Sequence, residues 1–238
     1  MSDFKLIMET PIEQSRYQTR YTKEPETISW VDSFADTDVF IDIGANIGIY
    51  SLYCASRHAG IEICAVEPVE INYRRLKENI ALNNYTHITC YNILIGMDAG
   101  NAIMMYSPDM VVGDTWPQEK NSGLIAAPMA VITGDTLIAM LVLGNKKYHI
   151  KIDVDGTELD VLASFKTTLR DTRLDSILIE YNIPGAGIDR MTEYMMSIGF
   201  TTDNKFNTMT PHSRERRALE CGNMAVNVIY TRQHCGII

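Results

Sequence analysis

No stretch of this 238-residue chain approaches the roughly 20 uninterrupted apolar residues that a membrane helix needs. The first residues carry acids and lack a basic-then-apolar pattern, so no export signal is read there. The five cysteines (Cys54, Cys64, Cys90, Cys221, Cys235) are scattered, odd in number and without a C-x-x-C pair. That spacing speaks against a disulfide framework or a zinc site, and for a reducing, cytoplasmic setting. Nor is there a basic excess: 21 Lys and Arg stand against 30 Asp and Glu, a formal charge of −9. A duplex DNA or RNA binder needs a cationic footprint, so the totals argue against nucleic acid as a partner while leaving room for a local basic patch. Internal repeats and low-complexity tracts are also missing.

What is present is ordinary globular material, 46% apolar and 21% charged. The length suits one well-buried domain. Residues 1–36 are polar and mixed, with a helix expected over 24–34. Thereafter short apolar runs alternate with helical periodicity: strands over 39–43, 62–66 and 88–95, with helices from Gly48 to Arg57 and over 69–83. That alternation predicts a parallel sheet covered on both faces. Short strands over 101–106 and 129–132 around a Pro- and Gly-containing loop read as a rim insertion, about 101–133. Further helices are expected over 136–143, 157–169 and 188–198, and strands over 149–154 and 176–181. Segments 200–206 and 224–230 are read as a final strand pair. The whole implies an α/β, Rossmann-like, doubly wound sheet with an antiparallel last strand, within one domain over 37–238. Met191, Met195 and Met196 are taken as core.

The sharpest local signal is the apolar strand Val39-Phe-Ile-Asp-Ile followed by Gly44-Ala-Asn-Ile-Gly48. Glycines let the backbone approach a ligand closely, and helix amides point at it. In a doubly wound sheet, ligands sit beyond the carboxyl ends of the strands, where the strand order reverses. The candidate cofactor contacts are therefore Asp42, Gly44, Ala45, Asn46, Gly48, Tyr50 and Ser51. The spacing is not the G-x-G-x-x-G of dinucleotide enzymes. An acid two residues before G-x-x-x-G resembles the first motif of methyltransferases, where Asp42 would serve the ammonium end of S-adenosylmethionine. Glu67 ends the second strand, placed to accept from both ribose hydroxyls, with Pro68 beside it. Ile95 is expected to line the adenine.

A second segment, Lys151-Ile-Asp-Val-Asp-Gly-Thr-Glu-Leu-Asp-Val-Leu162, resembles the K-I-D-V-E-G-x-E-x-x-V-L segment of the FkbM family. Asp155 departs from that pattern, standing where the family commonly has Glu. Glu24-Pro-Glu, Asn46, Asn121-Ser-Gly and Ser176-Ile-Leu-Ile-Glu-Tyr-Asn182 also look like the family. The resemblance runs from about Tyr21 to Asn182. It implies O-methylation of a sugar- or polyketide-derived hydroxyl, with a small-molecule or glycan acceptor.

Alcohol methylation needs alignment of the reacting atoms and a base or metal to take up the hydroxyl proton. Asp153 and Asp155 are two residues apart, so they share a face while the strand lasts. Glu180 and Asn182 are spaced likewise on the neighbouring strand. Two mechanisms stay open. In one, Asp153 is the general base assisted by Lys151, with Asp155 and Glu180 nearby and Asp153 also touching the cofactor. In the other, Asp153, Glu180 and Asn182 hold Mg²⁺, a hard cation suited to oxygen donors. A buried Lys151 needs an acid partner. Blander readings make Asp155 or Thr157 a helix cap, and Glu158 and Asp160 ordinary first-turn acids. His212, with Arg214, Arg216 and Arg217, reads as a solvated loop or a contact to an acidic acceptor. An NAD-dependent oxidoreductase and a non-catalytic cofactor-binding module are the competing functions, and a homo-oligomer is left open.

Overall fold

The computed structural model describes residues 3–107, 109–114, 124–154, 156–181, 185–202, 204–207 and 226–233. Asp155, Asn182 and the segment around His212 lie outside these described residues.

Two helices precede the sheet, α1 (Pro11–Thr19) and α2 (Pro25–Val31). Both begin with proline, whose missing N–H costs nothing in a first turn. Thr10 caps α1 through a reciprocal capping box with Glu13. The main sheet contains β1 (Val39–Ile43), β2 (Glu62–Val66), β3 (Ile88–Tyr91), β7 (Tyr148–Ile152), β8 (Leu174–Tyr181), β9 (Phe200–Thr202) and β10 (Val226–Arg232). Its order is β3-β2-β1-β7-β8-β10-β9, and β10 alone runs antiparallel to its neighbours. Helices α3 (Ile49–Arg57) and α4 (Glu70–Leu82) alternate with the first three strands. α5 (Gly134–Met140) precedes β7, α6 (Glu158–Ala163) follows it, and α7 (Gly185–Ser197) follows β8. A four-residue helix, α8 (Asn204–Asn207), follows β9. This is the expected α/β, doubly wound and mostly parallel sheet with an antiparallel last strand. β1 and β7 are buried along their whole length, as a central strand of a two-sided sheet must be.

A second sheet, β4-β6-β5, is built from β4 (Leu94–Ile95), β5 (Gly100–Tyr106) and β6 (Ile125–Ile132). The single strand expected over 88–95 is therefore split: its first half closes the main sheet and its second pairs with β6. The helix expected over 157–169 is α6 plus a 3₁₀ turn at Thr168–Arg170. Between them the Ser164 hydroxyl bonds Val161 O and accepts from the Gly134 amide, leaving the regular ladder. Segment 200–206 is a three-residue strand followed by α8 rather than one strand. Met195 is buried, but Met196 is 55% exposed, one residue further round α7 and away from the sheet. No helix among the described residues is long and apolar enough to cross a membrane.

The segment before β1 is bound tightly to the rest. Arg75 on α4, itself buried, meets Glu9 at 2.6 Å, Glu13 at 2.8 Å and Glu78 at 3.0 Å. Trp30 on α2 donates to Ser176 Oγ at 2.8 Å, and Ser176 in turn bonds His149, whose other ring nitrogen faces Asp38.

Candidate active site

Three residues with left-handed backbone turn β1 into α3: Gly44 (φ +85°), Asn46 (φ +52°) and Gly48 (φ +94°). Contact as well as conformation requires glycine at 44, since a Cβ there would stand 1.8 Å from the Asp153 carbonyl oxygen. The Gly44 and Ala45 amides donate to Val66 O at 2.9 and 3.0 Å, tying the turn to the end of β2. The Asn46 amide donates to Glu67 Oε2 and the Val69 amide to Oε1, both at 2.8 Å. The two amides thus fix the orientation of both Glu67 oxygens.

Between this turn, the end of β2 and the second sheet lies a cavity of about 600 Å³. Gly44, Asn46, Glu67, Pro68, Ile95 and Asp153 are in its wall. Asp42 and Ser51 lie behind the turn, buried, where the Ser51 hydroxyl donates to Asp42 Oδ2 at 2.6 Å. Asp42 Oδ1 has no hydrogen-bond partner among the described residues. Burial raises the Asp42 carboxyl above its ordinary range, against the opposing pull of Lys151 and Ser51. A segment of the insertion crosses over the cavity. The Asp114 carbonyl accepts from Asn46 Nδ2 and Asn72 Nδ2, the Gly113 amide donates to Asn72 Oδ1, and the first segment bonds it through Thr10 and Arg16.

Ala45 and Tyr50, expected at the cofactor, line a second, smaller cleft of about 80 Å³ instead. Gly48 lies against Leu76, 2.5 Å from where its Cβ would fall. The two cavities share Gly44, Asn46 and Asp153 as a common wall. Sheet register makes the smaller one chemically dense. Ile152 pairs with Ile179, so the next residues, Asp153 and Glu180, emerge side by side. Lys151 Nζ donates to Asp153 Oδ2 at 2.6 Å and stands 4.9 Å from the Tyr50 ring centre. Glu24, just before α2, brings a third acid: one oxygen each of Glu24, Asp153 and Glu180 lie within 4.8 Å of one another.

Their protonation follows from this crowding. Burial opposes charge on Asp153, but the Lys151 ammonium and a bond from Glu180 outweigh it and hold the carboxyl far below the usual range. Burial, then the Asp153 charge, pushes Glu180 well above its range, so Glu180 keeps the proton that the pair shares. Burial would lower Lys151, yet Asp153, Glu24 and Asp42 together raise it. Burial and Glu24 raise the Tyr50 phenol.

The sequence reading places Lys151, Asp153 and Glu180 together, and the structure does bring them together; Asp155 and Asn182 lie outside the described residues. Glu158 is the expected first-turn acid of α6, and it is buried and accepts from the Gly156 amide at 2.7 Å. Glu24, Asn72 and the basic residues Arg16, Arg20 and Lys23 were missed as site residues. The last three are spaced i, i+4 and i+7 in the sequence, but only Arg16 lies within α1, and the sequence reading singled out none of them.

The family model described as "Methyltransferase FkbM domain" matches residues 42–202. Methyltransferase 1 of Beauveria bassiana is 23% identical over 167 residues, covering 63% of this chain and 67% of that protein. Hexuronic acid methyltransferase AglP of Haloferax volcanii is 24% identical over 154 residues, 65% of this chain and 59% of that protein. The match thus spans about three fifths to two thirds of these relatives' lengths. Among solved structures, M. capricolum TrmK in complex with S-adenosyl-homocysteine aligns with a TM-score of 0.48 at 9% identity, covering 87% of this chain and 67% of that one.

Proposed function

This chain belongs to the FkbM methyltransferase domain family, with S-adenosylmethionine as methyl donor, and from that premise we propose that it methylates a hydroxyl oxygen of a sugar, glycan or secondary metabolite. The observation that carries the reading is Asp153, an ionised carboxylate forming the wall between the larger cavity and the acid-lined cleft. The chemistry of the larger cavity suits the cofactor. Gly44 leaves its backbone open to close approach, and Glu67, held by the Asn46 and Val69 amides, stands in the cavity wall where a ribose diol would seat.

The bound cofactor supplies an electrophilic methyl group on a sulfonium. The chain's own residues do the rest. Glu67 orients the ribose end, and the turn at Gly44 to Asn46 fixes the donor against the common wall. The acceptor hydroxyl enters from the smaller cleft and donates to Asp153. A carboxylate held ionised so firmly is a weak base, but the hydroxyl proton becomes strongly acidic as the new C–O bond forms, so a weak base suffices late in the reaction. Glu180 holds its own proton toward Asp153, and Lys151 stabilises the carboxylate until the transfer. Lys151, Asp153 and Glu180 are assigned to this machinery.

Lys151, 2.6 Å from Asp153, already supplies one positive charge to the acid cluster, and on that contact we favour the metal-free route over Mg²⁺ on Asp153, Glu180 and Asn182. Transfer is accordingly expected to survive EDTA. Loss with EDTA and recovery with Mg²⁺ would overturn that assignment. The relationship to a protein named for hexuronic acid supports a sugar acceptor. The primary test is calorimetric titration with S-adenosylhomocysteine and with NAD⁺, followed by a mass-detected screen of sugar acceptors. Micromolar binding of the first alone is expected, and binding of NAD⁺ alone would sink the reading.

A further inference from the structure

The smaller cleft has two chemically different walls. Its deep wall carries Asp153, Glu180 and the almost fully buried Lys151. Its outer wall is the basic face of the first segment, Arg16, Arg20 and Lys23. In a chain of net charge −9, three cations gathered at one cleft mouth are not a sample of the average surface.

The three are not equally committed. Arg20 pairs with Asp3 at 2.5 Å and lies over the rings of Tyr17 and Tyr21, so it is held in place by its own neighbours. Lys23 pairs with Glu24 at 3.1 Å but is 43% exposed, at the mouth. Arg16 is anchored by one bond, from Nε to the Gly113 carbonyl at 2.7 Å. Its two terminal nitrogens have no partner among the described residues. An anchored guanidinium with its terminal nitrogens unengaged suits the planar, bidentate recognition of a carboxylate or phosphate.

We propose that the acceptor carries an anionic group, a carboxylate or a phosphate, which seats on Arg16 and Lys23 at the cleft mouth. The inference rests on the methyltransferase reading above and adds the class and orientation of the acceptor. The one cation of the deep wall, Lys151, is already taken by Asp153 at 2.6 Å, so the charged end stays with the cations at the mouth and a neutral hydroxyl is left facing Asp153. One group thus selects the acceptor and a second, further in, is methylated.

The test is ligand-observed NMR titration of the protein saturated with S-adenosylhomocysteine, using glucuronate, glucose 1-phosphate and methyl glucoside as probes. At least one anion is expected to bind about tenfold more tightly than the neutral glycoside, and Arg16→Gln is expected to erase that preference, a loss of about 1.4 kcal/mol. Lys23→Gln should reduce it in part. Preference for glucuronate alone assigns a carboxylate, and for glucose 1-phosphate alone a phosphate. Equal binding of all three probes, no anion binding to the loaded protein, or an anion preference intact in Arg16→Gln would overturn the proposal. Titration of each variant with S-adenosylhomocysteine shows whether its fold and cofactor cavity are intact. Failure of the unmodified protein to bind S-adenosylhomocysteine would instead remove the methyltransferase reading on which the proposal rests.

Discussion

Lys151→Met replaces a buried ammonium by an apolar side chain of similar length. At the observed 2.6 Å from Asp153, an effective dielectric of about 20 puts the lost attraction at roughly 6 kcal/mol. Part of that returns, because the ammonium no longer has to be desolvated, and deleting one partner of a buried pair typically costs about 3–5 kcal/mol. The pH dependence distinguishes this cause from loss of packing. In the parent protein Asp153 lies below its unfolded pKa, so its contribution is present above the unfolded value and lost as pH falls through the folded one. Lys151 lies above its unfolded pKa, so its contribution is complete below that value and lost as pH rises through the folded one. Without the cation, burial and the neighbouring acids push Asp153 upward. The variant then takes up a proton on folding and loses stability as pH rises. Urea unfolding should therefore show a deficit that is smallest near about pH 5 and largest near about pH 8, on either side of the shifted carboxyl. The folded variant should be inactive with any acceptor. A deficit independent of pH, or full activity, would refute the reasoning.

Gly44→Ala must place a Cβ against the Asp153 carbonyl in a left-handed backbone, costing at least about 1–2 kcal/mol for the backbone alone; thermal unfolding should fall, and S-adenosylhomocysteine binding should be lost by calorimetry. Glu67→Gln offers the Asn46 and Val69 amides one acceptor oxygen in place of two. Its S-adenosylhomocysteine affinity is expected to drop by about tenfold or more, roughly the 1.4 kcal/mol of one charge-assisted bond, and unchanged affinity would remove Glu67 from the site. Arg75→Met leaves Glu9, Glu13 and Glu78 without their common cation, so the first segment should become the earliest site of limited proteolysis, while unaltered digestion would show that other contacts hold it.

The geometry at the end of β1 was legible because its physics is local. A buried strand, glycines at left-handed positions and an acid at the next strand end lie within one βαβ unit, and Asp42, Gly44 and Glu67 are read from it directly. The pairing of Asp153 with Glu180 was legible for a related reason, since both sit one residue beyond paired strand positions. Glu24 was not, because its arrival depends on how the first segment folds back across α4, a choice made by Arg75 and its three acids rather than by periodicity. The split of segment 88–95 was equally hidden. Asn92 bonds the carbonyls of Glu67 and Pro68, a tertiary contact that ends one strand and starts another inside a continuous apolar run. Tyr50 lines the smaller cleft rather than the larger one, a difference that helix spacing does not give, since it fixes a neighbourhood but not the side of the turn.

The close approach of Gly44 to the Asp153 carbonyl, reinforced by the bond from the Asp153 amide to Ile43 O at 3.0 Å, makes the donor loop and the proposed base parts of one rigid joint. Such a joint restricts how the protein can be re-engineered. A grafted β7 segment that shifts the backbone at position 153 would disturb the loop at position 44, even if every side chain at the cofactor were retained. Among the described residues the first segment and the insertion touch this joint through side chains and loop carbonyls, so they are the modules to exchange when a different acceptor is wanted.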